Sequence, residues 1–283
     1  MSEGSQAGAR VEEILSTMDD IVVAASGGVD SLTLATLAGR TPGLRAAVAH
    51  AVSPAVPAAA TARVRRLARR EGWRLLVLDA GEFEDPAYRA NPVDRCRYCK
   101  RSLYGAIRRA SGAVILSGTN LDDLGDYRPG LEAAAEHGVR HPFVEAGVDK
   151  AGVRGIARAL GLEEIADLPA APCLASRVET GIRIEADLLA FVDRAERAVR
   201  DALGATIVRA RVRRDGLVVE LDPDALGRAR DGVRRDLERT LQELGPDPLV
   251  RAGVRFAPYE MGSAFVHARQ SAGAPRPTGG GAV

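Results

Sequence analysis

Several absences limit what this chain of 283 residues can be. No apolar run approaches the roughly 18 residues of a membrane-spanning helix, and residues 1–10 lack the apolar centre of a signal peptide. Aromatic residues make up only 4% of the chain, and its three cysteines are an odd number, so a complete disulfide framework is not expected. We therefore expect a cytoplasmic protein that has no membrane partner.

The chain also lacks an excess of charge of either sign. Its 39 Lys and Arg residues against 38 Asp and Glu residues give a formal net charge of +1. A protein that grips a long stretch of RNA usually carries a strongly basic face. A nucleic-acid partner is therefore not expected.

Short apolar runs alternate with helix-like segments along the first 165 residues. Strands are predicted at 21–25, 44–52, 73–78 and 114–117, and helices at 9–18, 32–38, 58–71 and 150–161. This alternation indicates an α/β fold, a doubly wound parallel sheet with helices on both faces. Ligands of such sheets bind at the carboxyl ends of the strands.

The pattern changes after residue 167. A Pro-rich connector leads to a predicted helix at 188–203, a hairpin around an Asp-Gly turn near residue 215, and further helical sequence. A Gly/Pro-rich tail at the end is predicted to be disordered. The predicted domains are the nucleotide-binding domain 1–167, the connector 168–184 with Cys173, a smaller α+β domain 185–265 and the tail 266–283.

The string Ser26-Gly27-Gly28-Val29-Asp30-Ser31 lies between the first apolar run, which ends at Ala25, and a helix. Two glycines allow a tight turn whose N–H groups point at an anion, and the helix adds its positive dipole end. The hydroxyls of Ser26 and Ser31 suit phosphate oxygens, whereas Asp30 suits Mg2+ or the loop itself. A plain turn with a helix N-cap is the alternative.

A second loop, 117–123, follows the fourth predicted strand and reads Ser-Gly-Thr-Asn-Leu-Asp-Asp. Small residues such as Gly118 and Thr119 permit a nucleotide to approach closely, and the acidic pair Asp122 and Asp123 could hold Mg2+. Asn and Asp are also common in ordinary loops, so this motif alone is weak.

The three cysteines are Cys96, Cys99 and Cys173. A Cys-x-x-Cys pair is ambiguous between a redox pair, zinc and iron–sulfur. Structural zinc takes four protein ligands, and no histidine stands at an obvious ligand spacing. Three thiolates suit a [4Fe-4S] cluster with one open iron, which is the interpretation we favour over three unrelated buried cysteines.

Together these motifs resemble one family: LarE, the ATP-dependent sulfur transferase of nickel-pincer cofactor biosynthesis, a member of the PP-loop ATP-pyrophosphatases (adenine nucleotide alpha-hydrolase-like). The resemblance covers roughly residues 10–265. It rests on the segments SGGVDS (26–31), NPVDRCRYCK (91–100), SGTNLDDLGDYRPG (117–130), PCLASR (172–177) and VRAR (208–211).

The resemblance implies that ATP adenylylates the carboxylates of pyridinium-3,5-biscarboxylic acid mononucleotide, and that sulfur then displaces AMP to leave thiocarboxylates. It implies an ATP site, with Mg2+, at Ala25, Ser26, Gly27, Gly28, Asp30, Ser31, Gly118 and Thr119. It implies catalytic roles for Cys173, Asp30, Arg128 and Arg177, and substrate binding by Ser176, Arg177, Arg209 and Arg211. A homo-oligomer and an external sulfide source are further expectations.

Two sulfur sources occur in the family. One branch sacrifices a cysteine at the position of Cys173, and another holds a cluster on three cysteines. The complete trio favours the cluster here. The C-terminal segment 255–263 keeps Tyr259, Gly262 and Ser263 of the family pattern and departs from it at Arg255, Pro258 and Glu260.

Three other functions fit part of the pattern. A tRNA thiolation enzyme would need a basic surface or an added RNA-binding domain. An amidoligase or NAD synthetase-like enzyme would use ammonia and need no cysteine. A noncatalytic adenine-nucleotide sensor would bind ATP without releasing pyrophosphate.

Overall fold

A computed structural model describes residues 3–125, 129–245 and 252–265. The described residues divide into two compact units that interleave along the chain. The first unit takes the residues up to Arg89, then Asp94–Ala175 and Glu185–Asp193, and the second takes Ala90–Val93, Ser176–Ile184 and those from Arg194 onward. The predicted tail 266–283 lies outside the described residues, and the domain limits drawn from the sequence stay a prediction.

The first unit is built on a four-stranded parallel sheet in the order β3-β2-β1-β4. Its strands are β1 (Asp20–Ala24), β2 (Arg45–Ala51), β3 (Arg74–Leu78) and β4 (Val114–Ser117). The chain leaves β1 toward one edge and later returns to β1's other side as β4, so the winding direction reverses between these two strands. Such a switch point opens a crevice at the carboxyl ends of the strands.

Helices cover both faces of this sheet, as predicted for a doubly wound α/β fold. They are α1 (Glu3–Leu15), α2 (Val29–Arg40), α3 (Ala58–Glu71), α4 (Pro86–Arg89), α5 (Arg95–Ala110), α6 (Pro129–Glu136), α7 (Pro142–Glu145), α8 (Lys150–Ala159) and α9 (Glu163–Ala166). Three short 3-10 turns lie at Glu82–Glu84, Leu121–Leu124 and Leu174–Arg177. Within the described ranges, no helix is long and apolar enough to cross a membrane.

Side chains of β1 alternate between two apolar cores, because successive residues of a strand point to opposite faces. Ile21 and Val23 join the core that contains α1, α2 and α8. Val22 and Ala24 join the core that contains Tyr104 and Ile107 of α5. Burial on both faces explains why the strand is continuously apolar rather than alternating.

The second unit contains a three-stranded sheet and a helical layer. Strands β5 (Val208–Arg213) and β6 (Gly216–Leu221) form the predicted antiparallel hairpin, and β7 (Val254–Pro258) runs parallel to β6. Helices α11 (Pro223–Arg228) and α12 (Asp231–Leu244) follow the hairpin. Helix α10 (Ala186–Leu203) contributes its residues from Arg194 onward to this unit. The observed sheets and helices confirm the predicted fold class.

Gly118 marks a close approach between the turns that follow β1 and β4. A Cβ atom at this position would lie 2.7 Å from both the carbonyl carbon of Asp30 and the amide nitrogen of Ser31. Both are backbone atoms, which cannot swing aside as a side chain would. The switch-point crevice therefore requires glycine at 118.

We expect Gly118→Ala to lower the free energy of unfolding by about 1–3 kcal/mol, since the added methyl group must displace backbone in a packed site. Urea unfolding measures the change. The matched control is Gly112→Ala, in the loop before the same strand, where an added Cβ has no neighbour within 4 Å. Equal unfolding midpoints for the two variants would contradict the close approach.

Candidate functional site

The phosphate-type loop is held in shape by its own hydroxyl groups. The Ser26 amide donates to Ser31 Oγ at 3.1 Å, and that hydroxyl donates to the Gly28 carbonyl at 3.2 Å. Gly27 has φ 85°, and a Cβ there would lie 2.9 Å from the Ala60 carbonyl oxygen. Gly27 thus allows the turn, as predicted, whereas Gly28 has extended backbone at φ −86°, and α2 begins directly after it.

Asp30, in the first turn of α2, is shared between two other segments. Lys150 Nζ contacts its two carboxylate oxygens at 2.6 and 2.7 Å, and the Asn120 amide donates to it at 3.2 Å. The side chains of Asp30 and Lys150 are 26% and 32% exposed, so this ion pair is half-buried. The Asp30 carboxylate therefore joins the loop after β1 to the loop after β4 and to the start of α8.

Sequence reasoning missed Lys150, although one signal marks it. Of the 39 basic residues, only Lys100 and Lys150 are lysine. Lysine is a compact point charge, while arginine is a planar fork, so the two are not interchangeable. Because lysine is so rare in this arginine-rich chain, both lysines are candidates for a functional role. Lys150 fulfils this expectation by contacting Asp30 of the loop.

Two further residues that the sequence did not indicate support the loop from β2 and α3. The Arg63 Nε donates to the Gly27 carbonyl at 2.9 Å. His50 bonds the Ala25 carbonyl at 2.8 Å through Nδ1 and the Thr61 hydroxyl at 2.9 Å through Nε2. Burial lowers the pKa of His50, which favours the neutral ring. Both contacts fix carbonyl groups of the turn.

The loop after β4 has its own hydrogen-bond network. Ser117 Oγ bonds Thr119 Oγ1 at 2.9 Å and His141 Nδ1 at 2.7 Å. The Asp123 carboxylate accepts a hydrogen bond from the backbone N–H of Asn120 at 3.1 Å, and the Asp122 carboxylate accepts one from the backbone N–H of Lys150 at 3.3 Å. The acidic pair that the sequence offered to Mg2+ thus has local capping roles.

The three cysteines all lie in the first unit as half-buried thiols. Cys96 and Cys99 stand on the first turns of α5, and Cys173 immediately precedes a 3-10 turn. The Leu174 amide donates to the Ala55 carbonyl at 2.8 Å, which anchors the Cys173 segment beside the chain leaving β2. This is the carboxyl edge of the sheet, the same edge that carries the phosphate-type loop.

Electrostatic interaction links the thiols of the trio. Burial first, and then the charges of Cys173 and, more weakly, Cys96, raise the pKa of Cys99 to about 12, against a lowering by Lys100. A cation placed next to Cys99 would favour its thiolate form. Within the described ranges, no three His, Cys, Asp or Glu side chains are arranged to hold one metal ion.

The arginines predicted to bind substrate lie in the second unit, each among buried partners. Arg177 forms a two-pronged ion pair with Glu196, at 2.8 and 3.1 Å. Arg211 pairs with Glu220 at 3.0 Å and donates to the Ser176 carbonyl at 3.1 Å. The four ion-paired side chains are no more than 6% exposed. Ser176 is bonded to Arg177 as well, so the predicted substrate residues belong to one network.

Arg209 differs from the other two arginines of the network. Its guanidinium lies 5.6 Å from the centre of the Tyr259 ring. Burial first, and then the charge of Arg177, lower its pKa to about 10. A positive charge that is this costly to bury favours an anion that approaches it.

The residues of segment 255–263 that differ from the family pattern do not disturb the contacts of the arginine network. Tyr259 faces Arg209, and the Ser263 hydroxyl donates to Glu220 at 2.5 Å. Glu260 contacts Arg211 through its backbone carbonyl, at 3.2 Å, so the changed side chain leaves that bond intact. Of the family residues that the sequence keeps, Tyr259 and Ser263 touch the arginine network.

The sequence analysis did not predict that Glu196 and Glu220 would belong to this network. Glu196 lies on the buried face of α10 between the buried Val192 and Val199. An acidic residue at an apolar position of an amphipathic helix predicts a buried partner, and this was the available signal. Arg128, predicted to be catalytic, lies outside the described residues.

Comparison with known proteins identifies the family to which the chain belongs. No family model matches the chain. It is 30% identical over 235 residues to the pyridinium-3,5-bisthiocarboxylic acid mononucleotide synthase of Lactiplantibacillus plantarum, an alignment that covers 79% of this chain and 83% of the relative. The chain belongs to the LarE family.

Two uncharacterised relatives extend the comparison. A protein of Synechocystis is 35% identical over 240 residues, which is 83% of this chain and 89% of that relative. A protein of Methanocaldococcus jannaschii is 28% identical over 138 residues, about half of each chain (47% and 53%). The LarE resemblance seen in the motifs is thereby confirmed at the level of the family.

The Asp30–Lys150 pair predicts a measurable coupling. In a double-mutant cycle with Asp30→Asn and Lys150→Met, we expect a coupling of about 1–2 kcal/mol, between the values of exposed and buried pairs. Urea unfolding at low and high salt measures it. The control cycle uses Asp20 and Arg45, an exposed pair at 3.8 Å, with expected coupling below about 0.5 kcal/mol. Equal coupling in the two cycles would contradict a structural role for Lys150.

Glu196→Gln tests the buried network of the second unit. Removing one charge strands Arg177 in a site where water cannot replace it, so we expect a loss of about 3–5 kcal/mol in unfolding free energy. Asp236→Asn is the control, because Asp236 and Arg239 form an ion pair with both side chains about 70% exposed. That change should stay within about 0.5 kcal/mol. Similar losses in both variants would refute the distinction.

Proposed function

We propose that this LarE-family chain is an ATP-dependent sulfur transferase that makes thiocarboxylates from the carboxylates of pyridinium-3,5-biscarboxylic acid mononucleotide. The observation that carries the proposal is the presence of a phosphate-type loop and three cysteines in one compact unit, with the Cys173 segment anchored at the sheet edge that carries the loop. The relative from L. plantarum is named for the bisthiocarboxylic product of this chemistry.

The first half of the reaction activates the carboxylate. A carboxylate oxygen of the substrate attacks the α-phosphorus of ATP, and pyrophosphate leaves with the bonding electron pair. The loop N–H groups and the start of α2 suit the phosphates, while Gly118 and Thr119 line the adjoining turn. Lys150 already neutralises Asp30, so the loop presents no net negative charge to ATP. If Mg2+ is bound with ATP, Asp30, in the first turn of α2, would be a candidate ligand for it.

The second half replaces oxygen by sulfur. Sulfide attacks the acyl carbon of the adenylate, AMP leaves, and a thiocarboxylate remains; the cycle runs once for each carboxylate. We propose that Cys96, Cys99 and Cys173 hold a [4Fe-4S] cluster, which when bound would offer one iron without a cysteine ligand for sulfide. The raised pKa of Cys99, which a nearby cation would lower, fits a cationic partner. Thiolates of a cluster bind different irons, so their spacing need not suit a single ion.

The second unit supplies the substrate residues of the proposal. Arg209 is a buried cation beside an aromatic ring, which suits the phosphate of a mononucleotide. Arg177 and Arg211, with Ser176 bonded between them, fix the network around it. Arg128 keeps its proposed catalytic role as a cation near the adenylate. A homo-oligomer and a cytoplasmic location stay predictions of the sequence.

A sacrificial Cys173 is the second candidate for the sulfur source. Cys173 is held at the carboxyl edge by the Leu174–Ala55 bond, a placement that serves a donor cysteine as well as a ligand. The two sources differ in their products: sacrifice leaves dehydroalanine and permits a single turnover, whereas a loaded cluster permits many.

Anaerobic reconstitution with iron and sulfide tests the cluster. We expect the wild type to bind about four irons per chain, and Cys96→Ala and Cys173→Ala to lose most of that iron. Ser102→Ala, on the same helix as Cys96, is the control and should bind iron as the wild type does. Iron content and visible absorbance are the measurements; cysteine variants that keep full iron would sink the cluster.

Intact-mass spectrometry after turnover with ATP and substrate separates the remaining functions. An unchanged mass supports the cluster, and the loss of one H2S at Cys173 indicates sacrifice. Full activity of a triple-cysteine variant with ammonia would instead favour an amidoligase. Copurifying tRNA would favour tRNA thiolation, and ATP binding without pyrophosphate release would indicate a sensor.

A further inference from the structure

A buried asparagine fastens two segments of the second unit that lie far apart in the chain. The side-chain amide of Asn91 donates to three backbone carbonyls, those of Val178 (3.3 Å), Glu179 (2.9 Å) and Ile182 (3.0 Å). The Gly181 amide returns a bond to the Asn91 carbonyl at 2.9 Å. Asn91 is 0% exposed, so water cannot replace these bonds. We call this set of contacts between Asn91 and the turn 178–182 the Asn91 latch.

Asn91 holds this position in an unfavourable backbone conformation. Its φ is 53°, and it is the one residue other than glycine with a positive φ in the described part of the chain. Pro92 follows it, and a proline disfavours helical conformations in the residue before it. Such a conformation persists only when its surroundings hold it, and it is found preferentially at functional sites. Glycine would adopt this φ more readily, so the residue is needed here for its amide.

The turn that Asn91 holds is also fixed to the sheet of the second unit. Val178 forms a β-bridge with Val212 of β5, and the Glu179 amide donates to the Val212 carbonyl at 2.9 Å. Strand β5 also carries Arg211, which donates to the Ser176 carbonyl at 3.1 Å. The Asn91 latch therefore fastens residue 91 to a segment that is itself held by β5.

Short and stiff segments connect the Asn91 latch to the cysteines. The 3-10 turn Leu174–Arg177 fills the whole interval between Cys173 and Val178, and its residues are no more than 6% exposed. A 3-10 turn rises about 2 Å per residue, so these five steps span about 10 Å. On the other side, Pro92 and one short turn lead into α5, whose first turn carries Cys96.

The latch also stands where the chain passes between the two units. The chain enters the first unit at Asp94 and leaves it after Ala175. Cys96 lies two residues after the first crossing, and Cys173 lies two residues before the second. Both ends of the Asn91 latch lie just outside these crossings, so breaking it would loosen both cysteine-bearing segments at once.

We propose that Asn91 is a positioning residue that holds Cys173 within reach of Cys96 and Cys99. It acts through the backbone of the turn 178–182 and touches no reacting atom. This inference rests on the proposed function, because a cluster shared by the three thiols needs their two segments at a fixed separation.

Thiol cross-linking in the iron-free full chain tests the positions of the cysteines without a cluster. The parent variant is Cys99→Ala, in which Cys96 and Cys173 are the remaining cysteines of the three. A short bismaleimide either joins these two thiols into a loop or caps each one singly. Intact-mass spectrometry separates the products, because a looped chain carries one reagent molecule and a capped chain carries two.

Two substitutions break the latch in this parent, and one leaves it intact. Asn91→Gly allows the positive φ but removes the amide, and Asn91→Asp keeps the size but has no proton to donate at neutral pH. The control is Thr180→Val, in the same turn, which removes a hydroxyl that donates to the Ala264 carbonyl at 3.4 Å. Each chain is compared at the same interval below its own unfolding temperature.

We expect mostly looped product in the parent and in Thr180→Val. In Asn91→Gly and Asn91→Asp, the ratio of looped to capped product should fall about tenfold, the effect of about one net hydrogen bond. With all three cysteines restored, Asn91→Gly should also lose most of the iron that the wild type binds after reconstitution. A merely structural role would lower the looped ratio of the control as well.

The outcomes distinguish this inference from the proposed function. Capped product alone in the parent, or a parent-like ratio in both Asn91 variants, would overturn the positioning role. Asn91 variants that do not fold would overturn it too, because Asn91 would then serve the fold as a whole. If the parent forms the loop and the Asn91 variants do not, while the wild type binds no iron, the positioning role stands and the cluster falls.

Discussion

The carboxylate of Asp30 is the contact on which the nucleotide side of the first unit depends. It joins α2, the loop after β4 through Asn120, and the start of α8 through Lys150. Adjacent parallel strands on either side of a switch point need something to hold their carboxyl ends in register, because their loops diverge to opposite faces. The ion pair between Asp30 and Lys150, at 2.6 Å, holds these strand ends together. It also neutralises the negative charge of Asp30 in a turn suited to binding an anion.

A similar rule holds in the second unit, where buried charge is arranged in pairs. Glu196 and Glu220 each accept from an arginine and from a second donor, respectively the Ala210 amide and the Ser263 hydroxyl. Burying an ion is costly unless it is paired and its remaining lone pairs are bonded. Pairing therefore makes the network a rigid frame, and the costly charge of Arg209, beside Tyr259, is the part of it best placed to gain from a bound phosphate.

The sequence predicted local features far better than partners distant in the chain. The strands were readable because residues buried on both faces leave continuous apolar runs, and Ser26–Ser31 was readable because a tight turn needs its glycines. Helix α5 was missed, since its Arg-rich surface hides the narrow apolar stripe of Tyr104 and Ile107. Lys150 lies 120 residues from Asp30, and Glu196 lies 19 from Arg177. No periodicity encodes such pairings, although two lone lysines and a carboxylate on an apolar helix face were usable hints.

The nucleotide half of the first unit, with its phosphate-type loop, and the cysteine half differ in how fully their polar atoms are hydrogen-bonded. In the phosphate-type loop, hydroxyl and carbonyl groups bond one another, and two of the carbonyls also bond Arg63 and His50. The loop therefore keeps its shape without a ligand. Phosphate binding would exchange some of these hydrogen bonds for bonds to the ligand. The Tyr88 hydroxyl and Glu82 Oε2 instead have no hydrogen-bond partner among the described residues, at a cost of about 1–3 kcal/mol each. Against a total stability of about 5–15 kcal/mol, that cost is substantial. The nucleotide half is therefore closed by its own hydrogen bonds, whereas the cysteine half holds buried polar atoms that the described residues leave unbonded.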